Sequence, residues 1–196
     1  MNFIESQTYK NLAKTYAGEC QAHVRYKFIE YGARMQGYKA LADLIDMIVY
    51  NEFNHARMFY TLLQENVKGQ IDNIDIESGY PFKERWDLVE NLKLAIEDEE
   101  LEANDIYPEF AATAEEEGYP EIAKLYRDVI QVETCHVKLL SQLYEQLSTQ
   151  TMYKKDKKVK WKCGDCGYEA TSEEAWDECP LCRAKQGSVL LQISNK

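Results

Sequence analysis

The stretch Val49-Tyr-Asn-Glu-Phe-Asn-His55 (VYNEFNH) decides the fold. Read outward at alternating steps of four and three, it belongs to the series Leu41, Ile45, Ile48, Glu52, His55, Phe59 and Leu62. That is the apolar stripe of a helix packed in a bundle. Glu52 and His55 take two successive places on it, so an acid and an imidazole are turned toward the core.

Three other segments show the same habit. Helices are expected near residues 5–36, 38–65, 86–117 and 120–147. Gly37 separates the first two; Gly118 stops the third and Pro120 starts the fourth, the usual asymmetry of helix ends. Both connections are short, so each pair forms an antiparallel hairpin. The segment NVKGQIDNIDIESGYPFKER between the hairpins is long enough to run the length of a bundle. Two hairpins joined by one long crossover give ferritin-like connectivity. Pro108 lies inside the third helix and is expected to kink it.

The stripe of the fourth helix reads Ile122, Tyr126, Val129, Glu133, His136, Leu140, Leu143, Leu147, again with Glu and His three apart. The third reads Leu88, Leu92, Ala95, Glu99, Glu102, Ile106, and the first steps by seven through Leu12, Glu19, Tyr26 and Ala33. Five carboxylates and two imidazoles therefore converge. Each buried, uncompensated ion costs several kcal/mol, against a total stability of only ~5–15 kcal/mol. Cations resolve the conflict: two E-x-x-H pairs plus acids from the other two helices are the ligand pattern of di-iron and di-manganese carboxylate bundles. His23 falls one turn after Glu19, on the flank, and Cys20 and Cys135 fall off the stripes and read as small core residues.

The chain of 196 residues carries a formal charge of -11, which disfavours nucleic acid and anionic membrane as partners. No apolar run is long enough for a transmembrane helix. Its start, MNFIESQ, lacks the pattern of a secretory signal, so a cytoplasmic location is expected. After Leu147 the chain turns polar and basic, with six Lys from Lys154 to Lys162. This reads as a solvated linker, or as lysines resting on an acidic helical surface. Beyond it Cys163, Cys166, Cys179 and Cys182 form C-x-x-C, twelve residues, C-x-x-C. Four thiolates so spaced make a tetrahedral site for iron or zinc. A module this short needs such a staple. The boundaries are then 1–147 for the bundle, 148–159 for the linker and 160–196 for the cysteine module.

Taken together, YAGECQAHVRY, NEFNHARMFY, EELEANDIYPEFAATAEEEGYPEIA, VETCHVKLL, CGDCGY and ECPLC resemble the rubrerythrin family over essentially the whole chain. The resemblance implies a mainly α protein, a ferritin-like di-iron bundle followed by a small rubredoxin-like β/loop domain. It implies that Glu19, Glu52, His55, Glu99, Glu102, Glu133 and His136 bind two non-haem irons, one of which moves between Glu102 and His55 with oxidation state. Cys163, Cys166, Cys179 and Cys182 would bind a third iron, zinc being the alternative. Tyr26 and Tyr107 match tyrosines beside the site, where bundle packing is the other reading. Cys20, His23, Thr134, Cys135 and Arg183 depart from the family pattern.

The activity implied is a peroxidase that reduces hydrogen peroxide to water in oxidative-stress defence, with electrons relayed through the cysteine-bound iron. No G-x-G-x-x-G is present, so NADH would act through a separate reductase or a rubredoxin. A head-to-tail homodimer is also implied. The rivals are a ferroxidase that handles iron, and an interaction protein stapled by zinc.

Overall fold

The computed structural model describes residues 2–77, 79–80 and 87–194. Helix α1 spans Gln7–Met35, α2 Lys39–Glu65, α3 Leu88–Leu101, α4 Tyr107–Glu116 and α5 Pro120–Ser148. Strands β1 (Lys154–Lys162) and β2 (Glu169–Glu174) form an antiparallel pair. The start of the third helix expected at residue 86, and residues 78 and 81–86, lie outside the described residues. The architecture is the expected one, a ferritin-like bundle of two hairpins with a small cysteine-bearing module at the end.

The helix ends explain the two hairpins. Gly37 and Gly118 both take positive φ, 85° and 84°, which glycine alone adopts without penalty. Each is followed by a tyrosine whose N–H reaches back into the finished helix, Tyr38 to the Ala33 carbonyl and Tyr119 to the Ala114 carbonyl. The start of α1 is capped twice. Ser6 Oγ accepts from the Tyr9 N–H, while the Glu117 carboxylate accepts from the N–H groups of Gln7 and Thr8 and from the Thr8 hydroxyl, at 2.9, 2.7 and 2.6 Å. The second hairpin thereby closes the open end of the first.

The third helix differs from expectation. Its regular turns stop short of Pro108, where it opens into a π-turn over Glu102–Ile106, just before the proline. Pro108 has no N–H to give and would press on the carbonyl four residues back. The wider turn relieves that clash, and the Tyr107 N–H bonds to the Glu102 carbonyl five residues earlier. The extra residue moves the buried stripe on by one, so Tyr107, Phe110 and Ala114 are buried where Ile106 was expected. A smaller drift buries Leu63 in place of Leu62, as a 3.6-residue turn outruns a 3.5-residue pattern.

That extra residue also conceals a repeat. The same interval of 81 residues separates Gly37 from Gly118, Glu52 from Glu133, His55 from His136 and Tyr26 from Tyr107. Before the π-turn the interval is 80, pairing Leu12 with Leu92 and Glu19 with Glu99. The bundle is thus built of two like halves. One apolar cluster, with Ile29, Leu41, Ile45 and Leu92, lies toward the Gly37 end of the carboxylates. The other, with Leu12, Phe59, Tyr107 and Tyr126, lies toward the opposite end.

The basic segment is not the open linker expected over 148–159. Helix α5 runs to Ser148, and Lys154 already begins β1. Lys160 and Lys162 pair with Glu169, and Lys154 lies near Glu174, inside the module. Among the described residues Lys155 alone of these reaches the bundle, donating to Gln146 at 2.9 Å. The module is seated on the bundle end at Gly187, where an added Cβ would fall 1.7 Å from the Gly37 carbonyl oxygen. Lys39 pairs there with Asp165 at 3.1 Å, and Met152 is buried in the bundle core.

Candidate metal centres

The stripes of α1, α2, α3 and α5 carry Glu19, Glu52, His55, Glu99, Glu133 and His136 into one buried cluster, none of them more than 4% exposed. Ligand atoms of Glu19, Glu52, His55 and Glu133 lie within 4.8 Å of one another, and so do those of Glu52, Glu99, Glu133 and His136. The two groups exchange places under the repeat, and Glu52 and Glu133 belong to both. His55 Nδ1 is 3.0 Å from Glu133, 3.4 Å from Glu52 and 3.6 Å from Glu19. His136 Nδ1 is 2.8 Å from Glu133, 3.1 Å from Glu52 and 3.4 Å from Glu99.

These approaches are short, yet both Nδ1 atoms and both oxygens of Glu52, Glu99 and Glu133 lack a partner in hydrogen-bonding geometry. The lone pairs converge on shared points instead of pairing donor to acceptor. Buried polar atoms are rarely left so. Convergent carboxylate and imidazole donors fit iron or manganese, so the residues suit two metal ions.

The electrostatics of the bare side chains show the same need. Burial drives the Glu19, Glu99 and Glu102 carboxyls well above the usual range, and neighbouring acids add to it. Burial also works against ionised Glu52, but His136 and His55 outweigh it and hold that carboxyl below its ordinary value. Burial disfavours the charged form of His55, and Glu133, Glu19 and Glu52 overcome this, lifting it to about 12. Burial likewise opposes the charge on His136, and Glu133, Glu52 and Glu99 raise it. The imidazoles are the bare cluster's counter-charge; bound cations would supply it in their place.

Glu102 is set apart. It lies at the start of the π-turn, 9% exposed, outside both four-ligand groups. Its counterpart in the other half is Ala22, so it is the acid that the repeat does not duplicate. Tyr107 donates to Glu19 Oε1 at 2.5 Å, and burial, with Glu102 and Glu19 nearby, raises its phenol well above 10. Tyr26 is the repeat mate, raised by burial and then by Glu99. His23 stays on the hairpin flank, 2.8 Å from the Val49 carbonyl. Cys20 is half-buried and Cys135 exposed. Neither is the small core residue expected, because a helix position one step from the stripe is turned about 100° away.

Asn51 was not legible as a site residue. Its amide nitrogen Nδ2 lies 3.1 Å from Nε2 of His136, on the far side of the ring from the carboxylates. For His136 to offer a lone pair at Nδ1, its proton sits on Nε2, and the Asn51 amide turns over to present its oxygen there. The one sequence signal was its place a turn before the first E-x-x-H histidine, which a surface asparagine fills as readily.

In the module, Cys163 and Cys182 sulfurs are 3.7 Å apart, and those of Cys166 and Cys179 3.6 Å. A disulfide needs about 2.05 Å; a tetrahedral ion with ~2.3 Å metal–sulfur bonds puts the sulfurs ~3.8 Å apart. All four sulfurs lie within 4.8 Å of one another. Two like turns hold them: the N–H of Gly167 returns to the Cys163 carbonyl and that of Arg183 to the Cys179 carbonyl. Both residues take positive φ, 77° and 67°. Burial opposes the thiolate of Cys179, but the N–H groups of Cys182 and Leu181 bring its thiol down to about 7.

Comparison with known proteins agrees with both centres. A model of the rubrerythrin family matches residues 10–160, and one of the rubrerythrin rubredoxin-like domain matches residues 161–188. The chain is 37% identical over 177 residues to rubrerythrin of Clostridium perfringens, covering 90% of each, and 33% identical over 181 residues to that of Porphyromonas gingivalis, covering 92% of this chain and 88% of the other. A structure of nigerythrin in its fully reduced, all-ferrous state superposes with a TM-score of 0.62 at 26% identity, over 98% of this chain and 94% of that one. With a carboxylate and histidine di-iron site candidate in its bundle and a four-cysteine rubredoxin-like site in its tail, the chain belongs to the rubrerythrin family.

Proposed function

We propose that this protein is a non-haem di-iron peroxidase that reduces hydrogen peroxide to water in defence against oxidative stress. The observation that carries the reading is the pairing, in one chain, of a buried cluster of convergent carboxylate and imidazole lone pairs with a separate four-sulfur site. Two ferrous ions held by Glu19, Glu52, His55, Glu99, Glu102, Glu133 and His136 would supply two electrons and Lewis acidity for breaking the O–O bond.

The protein's own groups do the rest. Glu52 and Glu133, common to both ligand groups, set the spacing of the centre. Tyr107 keeps its proton at neutral pH and holds it against Glu19, inside the cluster, where a departing oxygen needs one. Leu12, Phe59 and Tyr126 close one end against water. Glu102 has the room to change partners that the other six lack.

Iron held by Cys163, Cys166, Cys179 and Cys182 would relay electrons. Asp165, inside the first cysteine turn, touches Lys39 at the start of α2. His55 lies sixteen residues further on, about 24 Å along the helix. That separation supports a head-to-tail homodimer in which the partner subunit's cysteine site serves this bundle. A reductase or rubredoxin would supply the electrons, with NADH used through that separate protein. The cytoplasm is the proposed setting; among the described residues no helix is long and apolar enough to cross a membrane.

Anaerobic purification, metal counting, reduction and addition of peroxide, with both centres followed optically, tests this. Reoxidation of both centres by peroxide without net iron uptake is expected. Steady accumulation of iron would instead make the protein a ferroxidase. Colourless zinc in both sites would make it a metal-stapled interaction protein.

A further inference from the structure

A cavity of about 460 Å³ opens between α1 and α3. Ala17 and Gly18 line it from α1, Leu101 and Glu102 from the facing side, and Glu77 and Tyr80 from the segment between α2 and α3. Three observations give it a purpose. Glu102 lines it, is nine-tenths buried, and has no hydrogen-bond or ion-pair partner among the described residues. The other six candidate ligands lie behind it, at 4% exposure or less. The repeat places Ala22 opposite Glu102, and Ala22 is 1% exposed, packed in the core. The cluster therefore borders a cavity on one side of the pseudo-symmetric bundle, behind Glu102, and packed core at the matching place.

Gly18 points the same way. Glycine weakens a helix interior relative to alanine, so a reason for it is needed. Its φ lies outside the left-handed region, and among the described residues an added Cβ would meet nothing within 4 Å. Neither the backbone nor a close neighbour asks for glycine here. What it faces is the cavity.

We propose that this cavity is the entrance through which substrate reaches Glu102 and the cluster behind it, that Gly18 keeps it clear, and that it admits small alkyl hydroperoxides as well as hydrogen peroxide. The inference rests on the peroxidase reading for its chemistry. A molecule the size of water needs about 30 Å³, and hydrogen peroxide, with two oxygens, needs at most about twice that, so the space is several times what hydrogen peroxide requires. Ala17, Leu101 and Ile106 offer an apolar wall for an alkyl group, and Glu102 offers polar atoms to the hydroperoxyl end. The reaction is ROOH + 2 e⁻ + 2 H⁺ → ROH + H₂O. The O–O bond breaks and two O–H bonds form. The electrons come from the ferrous ions of the loaded site, which a one-electron donor protein then restores.

The test uses the iron-loaded full chain with the series wild type, Gly18→Ala and Gly18→Leu. Ala17→Leu narrows the same opening from the neighbouring residue and serves if Gly18→Leu does not fold. Stopped-flow oxidation of the reduced proteins by hydrogen peroxide and by tert-butyl hydroperoxide is one readout. Azide association with the oxidised proteins, read from the visible spectrum, is the other and needs no turnover. Wild type is expected to react with both hydroperoxides. The leucine variants should keep their iron, bind azide at least about tenfold more slowly, and lose tert-butyl hydroperoxide reactivity by about a hundredfold, more than they lose that with hydrogen peroxide. Gly18→Ala should fall between. Wild-type azide kinetics in both leucine variants would overturn the entrance. A wild type that reacts with hydrogen peroxide but not with the alkyl compound would overturn the substrate class. If the reduced wild type reacts with neither hydroperoxide while azide entry still slows in the variants, the peroxidase reading has failed and the entrance stands.

Discussion

Glu52 and Glu133 occupy matching places in the two halves of the bundle, and each faces the histidine of the other half. Glu52 Oε1 lies 3.1 Å from His136 Nδ1, and Glu133 Oε1 lies 3.0 Å from His55 Nδ1. Each therefore belongs to both ligand groups, whereas Glu19 and Glu99 belong to one apiece. Glu133→Gln should remove both bundle irons and spare the cysteine-bound one. Glu102→Gln should lose less iron, because Glu102 stands outside both groups. Iron counting after anaerobic loading checks this; equal losses in the two variants would refute the assignment of shared ligands.

Asn51 should govern how His136 presents itself. Asn51→Ala removes the partner of Nε2 and should weaken metal binding by about 10–100-fold, the usual effect of losing a group that orients a histidine ligand. Asn51→Asp, which can still accept the Nε2 proton, should restore most of it. Competition with a calibrated chelator measures both, and equal affinities in the two variants would show that Asn51 merely packs there.

The stripes of Glu52, His55, Glu133 and His136 were legible because helix periodicity places them without knowledge of their partners. The π-turn was not. Its signal, EANDIYP, is a proline three residues after an unremarkable polar pair, and the relief of its clash depends on the whole turn. The same inserted residue shifts the interval from 80 to 81 and obscured the repeat. Strand β1 was hidden by its lysines, which are poor strand formers and form a strand here through pairing with β2. The seating of Gly187 on Gly37 joins residues 150 apart in sequence, and no local pattern announces it.

That seating should be intolerant of a methyl group. Gly187→Ala places Cβ against the Gly37 carbonyl oxygen, backbone that cannot turn aside. The cysteine module should keep its metal but separate from the bundle, costing roughly 1–3 kcal/mol. Limited proteolysis within residues 149–153 should accelerate while the visible spectrum stays that of the intact four-sulfur centre. Unchanged proteolysis would mean that the contact yields.

Glu117 provides a pH-dependent link between the hairpins. Burial tends to raise its carboxyl, but the Thr8 hydroxyl and the N–H groups of Thr8 and Gln7 outweigh this and lower it below 4.5. A depressed folded-state pKa contributes stability that is present above the unfolded value and is lost as pH falls through the folded one. Glu117→Ala should therefore cost about 1 kcal/mol near pH 7, the usual worth of a helix cap. The difference from wild type should shrink as pH drops below 4.5. Denaturant titrations of the two proteins at several pH values give this difference directly.

Anomalous diffraction at the iron edge, from crystals grown anaerobically with iron, is the most direct measurement of why a bundle interior tolerates five acids. Two peaks enclosed by Glu19, Glu52, His55, Glu99, Glu133 and His136, and a third among the four cysteine sulfurs, are predicted. A bundle without either peak, its carboxylates turned outward or paired with one another through protons, would contradict cation neutralisation and with it the di-iron centre.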